Sequence, residues 1–194
     1  MSKKKVLILD CGCQIFGRGG NLNHYYSDLA MKELQKLGHE VQITLVGDLW
    51  EISEEVEKIQ WADSIIVQTP AWWMSPPWQF KKYQDEVFIQ PGIVKNDGRH
   101  HADPSIGYGT GGTLTDKKYM LSSTWNAPKA AFERKDDFFG GVGIDGVLLP
   151  VHKAFQFLGM KPLPSFMAND VDKNPTFEED RQRFKEHLKK VFAK

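Results

Sequence analysis

The chain of 194 residues carries 25 basic and 25 acidic residues, so its formal net charge is zero. This balance argues against a nucleic-acid-binding protein and against a membrane-surface binder, because both depend on clustered excess Lys and Arg. No apolar run approaches the roughly 18 residues of a membrane span, and the apolar part of MSKKKVLILD is too short for a signal peptide. Cys11 and Cys13 offer no disulfide framework, so we expect a single domain over residues 1–194 in a reducing cytoplasm.

The first half of the chain alternates short apolar runs with helical patterns. Residues 6–9 are continuously apolar, which is typical of a strand buried on both faces, and a glycine-rich loop follows at 11–23. Leucines at 29, 34 and 37 predict a helix that ends at Gly38. The further predicted elements are a strand over 41–45, a short charged helix over 53–60, a strand over 63–68 and a helix over 78–88.

The second half begins with a long irregular segment. Residues 90–117 lack periodicity and hold many Gly and Pro, and a loop of this length is usually functional. The predicted elements after it are a strand over 119–124, helices over 127–138 and 145–158, a strand over 163–168, and a last helix that starts at Thr176, where Glu179 completes a capping-box spacing.

This alternation predicts a parallel sheet with helices on both faces, in the flavodoxin-like doubly wound order 2-1-3-4-5. Ligands of such sheets bind off the carboxyl ends of the strands, where the strand order reverses. The loops after strands one, three and four should therefore converge. They are the most unusual stretches of the chain: GRGGNLN at 17–23, TPAWWMSPP at 69–77 and STWNAP at 123–128.

The first of these loops predicts an anion site. It leads from a strand into a helix, its glycines allow close backbone approach, and its amide groups suit a phosphate or pyrophosphate. Asn21 or Asn23 can cap the helix, and Arg18 either adds a charge-assisted contact or is a solvated surface residue. No Gly-Lys-Ser/Thr follows, so the loop is not that of an ATPase.

The other two loops predict a planar ligand. Indole faces can stack on a large ring, and prolines hold the loop backbone at low entropic cost. Thr124, Trp125 and Asn126 add another ring among hydrogen-bonding groups. A phosphate at one loop and a planar ring between two others describes a flavin. The alternative is that the aromatic residues only cover the sheet, and we expect Trp78 to be a core residue.

Other motifs carry less information. Two G-x-G-x-x-G matches start at Gly107 and Gly141, but neither follows a strand as a dinucleotide fingerprint requires. A lone Cys-x-Cys indicates packing, and the pair at 100–101 (His-His) indicates a polar loop, so no metal site is predicted. No nucleophile elbow or Ser/His/Asp set is present.

Together these motifs resemble the NADPH:quinone oxidoreductases of the modulator of drug activity B type, which are relatives of DT-diaphorase. The matching blocks cover nearly the whole chain: WAD, PAWWM, PPW, KKY, DGR, GYGTGG, KKYML, TWNAP, GVGIDGV, HKAFQFLGM, PLP and AND. The resemblance implies a homodimer with FAD, rather than FMN, at the subunit interface. The flavin contacts that it implies are Arg18, Gly19, Gly20, Asn21, Leu22, Asn23, Pro70, Ala71, Trp72, Trp73, Tyr108, Thr124, Trp125, Asn126 and Ala127.

One loop departs from the family pattern. The family carries a hydroxyl residue for the phosphate in the first loop, whereas GRGGNLN has none. Backbone amides, Arg18 and Asn21 would then have to bind the phosphate.

The resemblance also implies a reaction. NADPH would pass a hydride to flavin N5, and a quinone would then take a hydride from the same face, in a ping-pong sequence that needs no protein acid or base. Backbone amides of Trp72 and Trp73 would face the N1 and O2 edge of the flavin, and Trp73, Met74 and Tyr108 would wall the substrate slot.

Three aromatic residues are candidates for covering the flavin from the partner subunit: Phe138, Phe139 and Phe155. Two other functions stay open: a flavodoxin-like electron carrier, against which the zero net charge counts, and a flavin-binding regulatory subunit of a transport protein.

Overall fold

Strands and helices alternate along the chain in the computed structural model, which describes residues 3–15, 17 and 19–193. Their bounds are β1 Lys5–Asp10, α1 Asn21–Lys36, β2 Glu40–Leu45, α2 Ile52–Trp61, β3 Ser64–Pro70, α3 Trp78–Val87, β4 Lys118–Thr124, α4 Ala130–Glu133, α5 Gly143–Val147, α6 Leu149–Phe157, β5 Lys161–Pro162, β6 Phe166–Ala168 and α7 Phe177–Phe192. No helix among these described residues is long and apolar enough to cross a membrane.

The strands form one parallel sheet in the order β2-β1-β3-β4-β5, with β6 also paired to β4, which confirms the predicted order. Val6 of β1 is aligned with Val41 of β2 on one side and with Ser64 of β3 on the other. The strand order therefore reverses at β1, with β2 added on one side of it and β3 on the other. The carboxyl ends of these two strands form the edge where a ligand is expected.

Helices cover both faces of the sheet because alternate strand residues point to opposite sides. On one face, Val6, Ile8 and Ile66 pack against α1 and α7. On the other face, Leu7 and Val67 pack against α2, α3 and α6. With both faces buried, the central strands read as continuous apolar runs, and this is why they were visible in the sequence.

The prediction of one strand over 163–168 is wrong. Two short strands, β5 and β6, occupy the fifth position, and each pairs with a different end of β4. Pro164 lies between them and has no amide hydrogen, so it cannot donate a ladder hydrogen bond to β4.

The two helices predicted after β4 are also shorter than expected. The first is limited to α4, since its C-terminal cap Arg134 is extended and the charged run that follows has no apolar residue to bury. The second is divided into α5 and α6 at Leu148. Pro150 explains the break, because it cannot donate to the carbonyl four residues earlier and its ring blocks that position.

The ends of α1 and α7 differ in how well they were predicted. Gly38 has a φ of 87° and follows the cap of α1, and His39 N–H donates to the Leu34 carbonyl at 3.1 Å, which confirms the predicted stop. Thr176 precedes α7 as expected, but its hydroxyl donates to the Asp180 carboxylate at 3.3 Å and caps no backbone group. The capping-box prediction is therefore wrong in its contacts.

Candidate functional site

The loops after β1, β3 and β4 lie together at the carboxyl edge of the sheet. Ala71 N–H donates to the Thr124 carbonyl at 3.0 Å, which joins the second and third loops. A Cβ at Gly19 would lie 3.5 Å from the Trp72 ring, so the first and second loops are also in contact. Pro70 and Ala71 are half-buried at this junction.

A chain of buried hydrogen bonds ties these loops to the sheet. Asn23 donates through Nδ2 to Thr124 Oγ1 at 3.1 Å and accepts at Oδ1 from Gln68 Nε2 at 2.8 Å. Ser122 Oγ donates to Gln68 Oε1 at 2.6 Å. The start of α1 is thereby held against β3 and β4. Gln68 and Ser122 did not stand out in the sequence, although a polar residue near the end of an apolar strand was the available signal.

The first loop leaves backbone amides at the start of α1 open to a ligand. Gly19 and Gly20 both have a φ of 90°, a conformation that favours glycine, and no side chain of the described residues caps the helix. The prediction that Asn21 or Asn23 acts as a cap is therefore wrong: Asn21 is exposed and Asn23 belongs to the buried network. Leu22 is half-buried, and Arg18 lies outside the described residues.

Asp10 and His24 form a polar pair beside this loop. The Asp10 carboxylate is 1% exposed and accepts hydrogen bonds from Gly12 N–H and from His24 Nδ1, each at 2.8 Å. The His24 side chain remains 41% exposed. The two residues are fourteen positions apart and share no motif, so only the fold reveals the pair.

The loop at 69–77, called the tryptophan loop below, contains a tight turn whose conformation is unusual for its residues. Trp72 N–H donates to the Ser75 carbonyl at 2.8 Å, and Ser75 N–H donates back at 3.2 Å. Between them, Trp73 and Met74 have φ values of 50° and 64°. For residues with a side chain this left-handed conformation costs about 1–2 kcal/mol each. Such strain is concentrated at ligand sites in proteins, and here it holds Trp73 outward with 91% of its surface exposed.

Replacing Met74 with glycine tests whether the turn carries strain for the sake of function. We expect Met74→Gly to raise the free energy of unfolding by about 1 kcal/mol, because glycine adopts a positive φ without steric cost. Urea unfolding measures this gain. Gly38→Ala is the converse control: its φ is 87° and a Cβ there meets no neighbour, so it should lose a similar amount. A destabilised Met74→Gly protein would contradict the strain argument.

Two tryptophans, one in this loop and one just after it, have environments that differ from the prediction. Trp78 is 66% exposed in the first turn of α3, so its assignment to the core is wrong. Trp72 is half-buried, and its Nε1–H is buried with no hydrogen-bond partner among the described residues. Leaving such a donor unpaired costs about 1–3 kcal/mol, so an acceptor on a bound ring would stabilise this loop.

The third loop has a structural tryptophan. Trp125 is buried, donates from Nε1 to Ser123 Oγ at 2.9 Å and meets Phe132 edge-on, so its ring is not available for stacking on a ligand. Asn126 is exposed. Ala127 is half-buried, and its carbonyl accepts from Asp170 N–H at 3.2 Å, which links this loop to the AND block.

Tyr108 lies away from the three loops. Its ring packs on Phe157 of α6 at 5.5 Å between centroids and is 72% exposed. Between Tyr108 and the tryptophan loop runs an apolar groove of about 660 Å³, bounded by α3 and α6 and reaching Ser75 and Pro76. The sequence did not indicate this groove.

The three phenylalanines named as possible covers have different positions. Phe155 is fully buried in its own subunit and stacks on Tyr119 at 4.6 Å, so the prediction that it covers a partner's flavin is wrong. Phe139 is half-buried against Phe132, whereas Phe138 is exposed.

The cysteines at the end of β1 behave as packing residues. Burial, reinforced by the neighbouring Asp10 carboxylate, raises the pKa of the Cys11 thiol well above its usual value, and the same causes raise the pKa of Cys13. Both thiols therefore stay neutral at physiological pH, and a neutral thiol is neither a nucleophile nor a metal ligand.

Comparisons with known proteins agree with this architecture. The family model described as flavodoxin-like fold matches residues 4–192. An uncharacterised protein of Schizosaccharomyces pombe is 49% identical over 192 residues, which cover 97% of each chain. The NADPH:quinone oxidoreductase MdaB of Haemophilus influenzae is 45% identical over 191 residues, which cover 97% of this chain and 99% of that one.

A solved structure is similar as well. The structure of a protein described as a putative quinone reductase from Klebsiella pneumoniae superposes with a TM-score of 0.77 at 25% identity, covering 98% of this chain and 85% of that one. The resemblance first visible in the motifs therefore extends over the whole fold. The chain belongs to the flavodoxin-like family, within the group of NADPH:quinone oxidoreductases of the MdaB type.

Proposed function

We propose that this protein is an FAD-dependent NAD(P)H:quinone oxidoreductase that reduces quinones to quinols by two-electron hydride transfer. The observation that carries the proposal is the meeting of three loops at the switch point. Within the part of the chain that the structure describes, one loop supplies helix amides that no side chain caps, one an indole N–H without a partner, and one a backbone held by hydrogen bonds. The family assignment supplies the reaction class, since the Haemophilus influenzae relative carries that name.

The residues fit a flavin in three respects. Gly19 and Gly20 adopt the positive φ that leads the loop into α1, and the amides of the first turn of that helix suit a phosphate. The buried Trp72 Nε1–H can donate to a heteroatom of the ring system. Trp73 supplies an exposed aromatic face beside it. The choice of FAD over FMN follows from the family resemblance.

In this mechanism the protein binds and orients the flavin and the two substrates. A bound flavin would supply the capacity to take a hydride from NAD(P)H and to pass one to the quinone. The Trp73 backbone amide and the Trp72 Nε1–H would hold the polar edge of the ring and stabilise negative charge there, whereas the Trp72 backbone amide already donates to the Ser75 carbonyl. Trp73 and Met74 wall a slot that both substrates use in turn, so the kinetics are ping-pong. Solvent supplies the proton that completes the quinol, and we assign no side chain as a proton donor.

A homodimer with the flavin at its interface completes the proposal. The groove between α3 and α6 is continuous with the tryptophan loop. The apolar side chains that line it include Phe80, Phe88, Ile89, Val94 and Phe157. Such a patch is a liability on a monomer. Tyr108 stands exposed on its far side, where it can extend toward the site of a second subunit.

Ile89→Arg is expected to convert the dimer to a monomer and to weaken flavin binding. A charge placed on the apolar groove would be desolvated without a partner on dimerisation. Sedimentation velocity measures the change in mass. Leu49→Arg is the matched control, because Leu49 is also exposed but does not line the groove. A wild-type protein that is monomeric with full flavin content would contradict this part of the proposal.

Steady-state kinetics of the FAD-loaded protein test the reaction. Initial rates with NADPH and a soluble quinone should give parallel reciprocal plots, as ping-pong kinetics require. The same assay with NADH measures the preference for the nicotinamide donor. Intersecting plots would contradict the shared slot. Negligible turnover with every quinone would favour the electron carrier or the regulatory subunit.

A further inference from the structure

We propose that Asp10 and His24 form a phosphate-recognition pair in which the buried carboxylate holds the imidazole ring against the flavin phosphate. This inference rests on the proposed flavin site and names how the first loop, which lacks the family's hydroxyl residue, recognises the anion. The shared ligand chemistry is a phosphate, whether it is the monophosphate of FMN or the pyrophosphate of FAD.

The position of the ring is the first argument. A Cβ at Gly20, the residue before α1, would lie 3.3 Å from His24 Nε2, and a Cβ at Gly12 would lie 2.8 Å from His24 Cε1. The imidazole therefore lies between the end of β1 and the start of α1. Its Nε2 lies beside Gly20, next to the first turn of α1, where backbone amides suit an anion.

The hydrogen bond from Nδ1 is the second argument. An ionised carboxylate only accepts, so Nδ1 must carry a hydrogen to make its 2.8 Å contact with Asp10. This fixes the ring orientation and leaves Nε2, which has no partner among the described residues, for a ligand. When Nε2 also carries a hydrogen, the same ring can donate to Asp10 through Nδ1 and to a phosphate oxygen through Nε2.

The burial of Asp10 is the third argument. Its carboxylate is almost fully removed from solvent, and His24 is the ionisable side chain that contacts it among the described residues. A buried carboxylate is costly without polar partners, and the Gly12 N–H and the His24 ring are the partners that it has here. The glycine at position 12 preserves the arrangement, because any side chain there would collide with the ring, with Asp10 Oδ1 and with the Gly20 carbonyl.

Flavins that differ only in their phosphate groups test the proposal. The full-length chain, freed of flavin, is titrated with FAD, FMN and riboflavin by calorimetry. His24→Gln should weaken FAD and FMN binding by about ten- to a hundredfold, the range for a hydrogen bond to a charged group. Riboflavin binding should change by less than about twofold, because riboflavin has no phosphate.

Two further variants complete the design. Asp10→Asn keeps the size of the side chain and an acceptor for Gly12 N–H but removes the charge, so it should weaken FAD and FMN in the same selective way. His101→Gln is the matched control, because His101 is an exposed histidine of the long loop, and it should leave all three affinities unchanged.

The outcomes separate this inference from the proposed function. Equal weakening of all three ligands in His24→Gln would assign the histidine a purely structural role and overturn the inference. Unchanged FAD and FMN affinities would overturn it too, while flavin binding by the wild-type chain would leave the proposed function standing. A wild-type chain that binds none of the three flavins would overturn both.

Discussion

Asn23→Ala is expected to lower the free energy of unfolding by about 2–4 kcal/mol and to release the flavin. The substitution leaves two buried polar groups without partners, Gln68 Nε2 and Thr124 Oγ1, and each unsatisfied group costs about 1–3 kcal/mol. The start of α1 would also lose its connection to β3 and β4. The geometry of the three loops depends on that connection.

Urea unfolding of the flavin-free chain measures the stability term, and ultrafiltration of the FAD-loaded protein measures release. Asn21→Ala is the matched control, because Asn21 lies two residues earlier and is exposed. It should unfold within about 0.5 kcal/mol of the wild type. If Asn23→Ala were equally benign, the buried network would not be what joins the loops.

The second large effect is expected at Phe155, whose replacement by alanine should cost about 3–5 kcal/mol of stability. The ring is fully buried, stacks on Tyr119 and meets Phe88 edge-on at 5.3 Å. Removing it leaves a cavity between α6 and the sheet that these rigid aromatic neighbours cannot fill.

Thermal and urea unfolding check this value, with Phe138→Ala as the control. Phe138 is exposed, so its loss should change stability by less than about 0.5 kcal/mol. A Phe155→Ala chain that keeps its stability but dissociates into monomers would contradict this assignment. It would place Phe155 at the dimer interface instead of in the core.

The strand order could be predicted from the sequence because the central strands are buried on both faces. Residues 6–9 and 65–67 read as apolar runs for this reason, and alternation with helices leaves few topologies. The prediction of one fifth strand failed because Pro164 lies between β5 and β6 and cannot donate a ladder hydrogen bond, which the hydrophobic pattern does not show.

The environment of individual aromatic residues could not be predicted in the same way. Trp78 and Trp125 both lie beside proline or turn residues, yet one is exposed and the other is buried. Which of them faces the core depends on how α3 and α4 are placed over the sheet, and the local sequence contains no such information. The Asp10–His24 pair could not be predicted for a related reason, since the contact exists only after β1 and α1 are packed together.

The measurement that tests the account most directly is anaerobic addition of stoichiometric NADPH to the FAD-loaded protein, followed by its visible spectrum. We expect the flavin absorbance to bleach at once and to return when a quinone is added. A flavin that binds but stays oxidised would contradict the reductase and favour the carrier or regulatory function. A chain that can be loaded with neither FAD nor FMN would contradict the flavin site itself.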